Sequence, residues 1–216
     1  AEGDPDVVAR ATSALDELSP IEARGDPRAL AAPLPPPRDA AARATVTRLG
    51  ERAAAASALA YARQSRRSLA LVEPALAEAA TLRYPPLEAK LLLVRARDEQ
   101  NLGRHDDAVA TLHRAAITAE RAHDDGAAAD AWNLLVWNRG YLLAFRSEAE
   151  LWAGYAAAAI ERLGGDDERE GTRLFNLGSV IWMEGRLDEA TPLLVRAREL
   201  LVNSRGPDSW RVARVD

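Results

Sequence analysis

The sequence predicts an all-α fold made of repeated pairs of antiparallel helices. Three observations carry this expectation. Hydrophobic residues make up 48% of the 216, yet aromatics only 5%. Alanine and leucine must therefore supply most of the packing, and both, like Arg and Glu, are strong helix formers. From Asp39 onward apolar residues recur at helical spacing almost to the end. The interruptions fall near 64–66, 84–86, 103–106, 123–126, 144–147, 164–167, 184–187 and 204–208, at the near-constant interval expected of helix hairpins of similar length.

The elements follow in order. In "DPDVVARATSALDEL", Asp4 is a candidate N-cap and Pro5 suits the first helical position. Val7, Ala11, Leu15 and Leu18 follow at helical spacing, which predicts a helix over about 5–18. Prolines 20, 27, 33, 35, 36 and 37 then break any long helix, so 19–38 reads as a stiff connector with polyproline character, holding one short turn at "DPRALAA". Residues 1–38 are thus an N-terminal helix and linker, 39–208 an array of four helix pairs, and 209–216 the start of a further or capping helix.

The array is a repeat. "GRHDDAVATLHRA", "AFRSEAELWAGYA" and "GRLDEATPLLVRA" start 41 residues apart, aligning Gly103, Ala144 and Gly185. The same spacing relates Asp107, Glu148 and Glu189, then Ala108, Ala149 and Ala190, then Ala115, Ala156 and Ala197. Gly103 and Gly185 stand where the first helix of a pair, helix A, must stop and turn. Asp106 and Asp188 are expected to cap the second, helix B, with Asp107 and Glu189 in its first turn. The small alanines let helix B lie close to helix A, with Leu112, Ala153 and Leu194 filling the space between them. Leu174, Leu177 and Ile181 form the facing stripe in the last unit, and Gly178 allows close approach.

The units are read as about 87–125, 127–166 and 168–208, preceded by a degenerate one at about 39–83. In that first unit Ser68 and Ala75 lie 40 residues before Ala108 and Ala115. Pro74 falls deep in its helix B, where a proline costs about 3 kcal/mol, so a kink or a start nearer Leu71 is expected. Pro192 falls near the start of its helix, where it is better tolerated. The middle unit needs one extra residue before its turn, which makes Val136 rather than Trp137 the small-side partner of Ala96 and Gly178.

These motifs resemble the tetratricopeptide repeat (TPR). "LFNLGSVIWMEGRLDEATPLLVRA" matches best, through Leu177, Gly178, Gly185, Ala190 and Ala197; "LLVRARDEQNLGRHDDAVATLHRA" follows, with Ala96 as the small helix A residue. Trp132 stands at the family's aromatic position. The family's proline at the end of helix B is missing from the three later units. The 41-residue period and "RGPD" resemble the long form of the repeat found in kinesin light chains. The resemblance implies an α-solenoid, a right-handed superhelix. More narrowly, "RYPPLEAKLLLVRARDEQNLGRHDDAVATLHRAAITAERAHDDGAAADAWNLLVWNRGY" and "RGPDSWRVARVD" resemble the C-terminal TPR region of large bacterial serine/threonine protein kinases, the myxobacterial type above all. The chain itself holds no Gly-rich phosphate loop, HRD or DFG.

Charge and composition narrow the function. The net charge is -5 and the pI about 5.4, with none of the basic stripe that marks a nucleic-acid binder. There is no cysteine, which removes disulfides and thiolate metal sites and suits a cytoplasmic setting. No apolar run approaches the 18 or so residues of a membrane span. The chain begins with Ala rather than Met, as an excised or mature segment would. His105 and His113 are eight residues apart, about 12 Å along a helix, too far to share a metal. The acidic clusters "HDD", "RAHDD" and "GGDDERE" read as helix caps. No catalytic residue, metal or cofactor is expected.

The expected function is instead non-catalytic protein–protein interaction, as scaffold or sensor, with self-association as one mode. A TPR array binds ligands on its concave face, lined by helices A. That implies a groove formed by Arg97 and Asn101, then Asn133, Trp137 and Tyr141, then Phe175, Ser179 and Trp182. These residues describe an apolar, hydrogen-bonding surface rather than a strongly basic one. The competing reading is that Trp137 and Trp182 only pack between neighbouring helices. A ligand-responsive arm of a transcription regulator or signalling ATPase is the alternative function.

Overall fold

A computed structural model describes residues 34–207, 209, 212, 213 and 215. The expected helix at 5–18 and nearly all of the connector lie outside these residues. Among the described residues there are eight α-helices and no strand. They are α1 (Ala40–Tyr61), α2 (Ser65–Leu82), α3 (Pro85–Asn101), α4 (His105–Arg121), α5 (Asp125–Leu135), α6 (Ala149–Arg162), α7 (Asp167–Met183) and α8 (Leu187–Arg205). A π-helical segment, Val136–Leu142, continues α5, and a 3-10 turn, Arg146–Glu148, precedes α6. The fold is all-α and helical-repeat-like.

The turns explain why the chain keeps reversing. Every connection between these helices holds a residue of positive φ: Arg63, Arg83, Gly103, His123, Ala144, Gly164 with Gly165, and Gly185. Links this short make consecutive helices antiparallel neighbours. In five turns the amide after the first left-handed residue returns to the carbonyl five residues back, as in Arg104→Glu99 and Arg186→Ile181. These bonds satisfy carbonyls orphaned at the helix end.

Capping differs from the expectation. Asp106 and Asp188 are not caps: α4 and α8 are entered through Arg104 and Arg186 with no side-chain cap, and both aspartates lie in the first turn. The returning amide of the preceding turn already fixes the entry, and the acids act on the positive helix end. Side-chain caps occur at the starts of α1, α5 and α7, where Asp39, Asp124 and Asp166 accept from Ala42, Ala127 and Arg169. The later start near Leu71 is also corrected, because α2 starts at Ser65 and continues through Pro74 to Leu82. Pro74 is exposed there, so its ring faces solvent while Val72, Ala75 and Ala79 hold the helix to the core.

Packing follows the repeat. Ser68, Ala108, Ala149 and Ala190 are fully buried, as are Ala75, Ala115, Ala156 and Ala197. Each helix packs on the next, and α1 on α3, α3 on α5 and α5 on α7 also touch. Ala96, Leu112, Val136, Ala149 and Ala153 share one core cluster, with Trp132 and Leu177 against it. A Cβ on Gly178 would lie 2.9 Å from Leu194 Cδ2, so glycine lets Leu194 pack this close without shifting. Past α8, the amides of Val212 and Ala213 bond the carbonyl of Ser209, and Val212 is buried.

Candidate functional site

A groove of about 730 Å3 is lined from α1, α3, α5 and α7, the first helix of every pair, with Arg205 from the end of α8. From α1 and its turn come Tyr61 and Arg63; from α3, Arg97, Gln100 and Asn101. Asp130, Asn133 and Trp137 come from α5 and the π segment, and Glu168, Arg169 and Asn176 from α7.

A line of amides ties these helices together. Asn101 Nδ2 donates to the Ala60 carbonyl at 2.9 Å and to Ser65 Oγ at 3.2 Å. Asn138 donates to Gln100 Oε1 at 3.0 Å. Asn133 donates to the Arg169 carbonyl at 3.1 Å, and Asn176 to the Asn133 carbonyl at 2.8 Å. Apart from the bond to Ser65 at the start of α2, each crosses between first helices, and together they fix the register.

Charges within the groove are largely paired. Arg169 grips Asp130 with two bonds, 3.0 and 3.1 Å, and reaches the capping Asp166 at 2.6 Å. Desolvation by the surrounding protein pushes the Asp130 carboxyl up while Arg169 pulls it down. Its side chain is still 43% exposed to the groove, so the pair is partly solvated and worth little as a stabiliser. Arg205 holds Glu168, its Nε at 2.8 Å. Arg97 lies over the Tyr61 ring at 4.2 Å. Among the described residues neither Arg97 nor Arg63 makes an ion pair.

The sequence-derived groove residues divide. Arg97, Asn101, Asn133 and Trp137 line the groove. Tyr141 and Phe175 stack on Trp137, with centroids at 4.3 and 5.9 Å, and so support the wall rather than form it. Ser179 is buried and donates to the Phe175 carbonyl at 2.7 Å. Trp182 is 54% exposed and lies outside the lining. It occupies the last turn of α7, whereas the groove uses that helix's first half. The surface is also more charged than expected, because Arg63, Asp130, Glu168, Arg169 and Arg205 escaped the reading. Their signal was opposite charges nearly one repeat apart, as with Asp130 and Arg169 at 39 residues.

The histidines take structural places. The His113 ring stands edge-on to Trp132 and Trp152, at 6.4 and 5.8 Å, and burial lowers its pKa. Among the described residues no three His, Cys, Asp or Glu side chains gather as a metal site. No described helix is long and apolar enough to cross a membrane.

No family model matches the chain, and no curated protein matches it. Solved structures do. A crystal structure of BtubC (BKLC) from P. vanneervenii superposes with a TM-score of 0.58 at 20% identity, covering 82% of this chain and 84% of that one. At this identity the likeness concerns the fold alone.

Proposed function

We propose that the chain is a non-catalytic protein–protein interaction module of the TPR type. Its helix pairs stack as an α-solenoid, and the first helices present a concave groove to an extended segment of a partner. The observation that carries this reading is the groove itself, because four successive pairs each give it residues from the equivalent helix. The regular left-handed turns and the buried alanines at one-repeat spacing support the repeat assignment. By resemblance, the module is the scaffolding or sensory region of a cytoplasmic bacterial serine/threonine kinase that recruits a substrate or regulator.

The test is capture of partners from the source organism by the wild type and by groove variants. Thr172→Arg places a large side chain in the groove from a half-buried position and should abolish capture with helicity intact. Trp137→Ala should weaken capture, while Trp182→Ala should not. Capture unaffected by Thr172→Arg rules out the groove as the binding surface. A kinase domain encoded upstream supports the kinase assignment, and a helix-turn-helix there contradicts it.

A further inference from the structure

We infer that the outer face of α6 pairs with the same face of a second copy of this chain, the two helices running antiparallel about a two-fold axis. The inference goes beyond the groove reading, because α6 gives the groove no residue. From Leu151 to Ile160 α6 reads "LWAGYAAAAI", with no charge on any side. Trp152, Ala153, Ala156, Ala159 and Ile160 are buried against the neighbouring helices. Leu151, Gly154, Tyr155 and Ala158 are exposed, and their spacing puts them on one stripe. The other second helices all place charge in the equivalent stripe: Glu73 in α2, Arg114 in α4, Arg196 and Glu199 in α8, each exposed. A helix that is apolar all round is one that another surface covers.

The order of residues in the stripe points to a second copy as the cover. Turned about the midpoint between Gly154 and Tyr155, the stripe sets Leu151 against Ala158 and Tyr155 against Gly154. Each large side chain meets a small one, and the two-fold makes every such contact twice. A Cβ on Gly154 would meet nothing within 4 Å, so the space above it is open to an incoming ring. Tyr155 already leans on Trp132, their centroids 5.0 Å apart, so pairing costs it little freedom. The charges at the helix ends agree. Arg162 of one copy comes beside half-exposed Glu148 of the other, while Glu150, which turns toward Glu161, is already held by Arg186 at 3.2 Å. With 14 residues, α6 offers a footprint of about 21 by 10 Å. That is well short of the roughly 800 Å2 per partner of a lasting interface, so the pair is transient and forms at high concentration.

Sedimentation equilibrium of the whole chain over a concentration series, joined to cysteine cross-linking, tests this. The wild type should pass from monomer toward dimer as concentration rises. Leu151→Arg and Ala158→Arg change exposed residues, so each should leave the melting temperature unchanged and raise the dissociation constant about tenfold. The chain has no cysteine, so a single introduced thiol reports alone. In the antiparallel pair the two copies of residue 154 lie about 1.5 Å apart along the axis, and those of residue 158 about 10 Å apart. Gly154→Cys should therefore cross-link on mild oxidation and Ala158→Cys should not. A monomer at every concentration, a dimer indifferent to both arginine variants, or equal cross-linking of the two thiols overturns the inference, and each leaves the groove reading standing.

Discussion

The α3–α4 hairpin and the middle hairpin, α5 with its π segment and α6, solve one problem in two ways. In the first, α3 runs regularly from Ala96 to the turn at Gly103, and the Arg104 amide returns to Glu99, five residues back. In the second, one more residue separates the small-side partner Val136 from the turn at Ala144. The helix widens there into the π segment, and the closing bond runs from Phe145 to Arg139, six residues back. Both hairpins bury their partners at about 0–1% exposure, Ala96 and Ala108 in one and Val136 and Ala149 in the other. An insertion in a helix is thus tolerated where the extra residue can bulge and leave both ends in register. The bulge also bears Trp137, so the irregular turn shapes the groove wall.

Deletions should separate the two hairpins most sharply. Removing Gln100 from α3 rotates everything before it by about 100° relative to the turn. Ala96 and Leu92 would leave the core, and circular dichroism should show loss of the cooperative melt. Removing exposed Leu142 from the π segment should instead yield an ordinary α-helix, with ellipticity kept and stability within about 2 kcal/mol of wild type. Equal damage from both deletions would show that the π segment is no register device.

Equivalent core positions come next. Leu112 in α4 is fully buried and has Ala153 as its counterpart in α6. Leu112→Ala should cost about 2–5 kcal/mol in urea unfolding. Ala153→Leu should cost about 1–3 kcal/mol by overpacking, because Trp152 and Val136 already fill that space.

The turns give smaller effects of opposite sign. Gly185→Ala puts a side chain at φ 79°, and Ala144→Gly removes one from φ 60°. The first should lower stability by about 1–2 kcal/mol and the second raise it by roughly 1 kcal/mol. Equal melting temperatures for the two variants would contradict the strain argument.

The smallest expected effect concerns charge. Asp98 in α3 is fully buried, and its counterpart in the middle hairpin is the neutral, hydrogen-bonded Asn138. Burial pushes the Asp98 carboxyl up, with the hydroxyls of Ser68 and Ser65 and the charge of Arg97 opposing it. The folded chain therefore holds this proton to higher pH than the unfolded chain does. The stability it contributes is complete below the unfolded value of about 3.9 and is lost as pH rises through the folded value. Asp98→Asn should be more stable than wild type at neutral pH, with the difference shrinking on acidification. A constant difference across pH would assign the effect to packing.

Much of the fold was legible because helical spacing, small residues and turn glycines recur at one period. Gly103 and Gly185 announce their turns, but Arg63, Arg83, His123 and Ala144 adopt the same left-handed backbone with side chains that do not advertise it. They were found through spacing alone. The extra residue before Ala144 could be counted, while its π geometry could not, since that depends on how Gly140 fits against Ala149 and Val180, 3.0 and 3.1 Å from the position of a Cβ. The candidate site was half legible. Arg97, Asn101, Asn133 and Trp137 follow from the helix A register, whereas Arg63, Arg169 and Arg205 enter through helix starts, helix ends and turns that a single-face pattern omits.

Hydrogen–deuterium exchange of the chain, with and without a display-selected peptide, tests the central claim most directly. An interaction groove built from first helices predicts added protection over the end of α1 and over 85–101, 125–142 and 167–183, and little over α2, α4 and α6. Protection confined to the second helices, or to the exposed surface around Trp182, would contradict it.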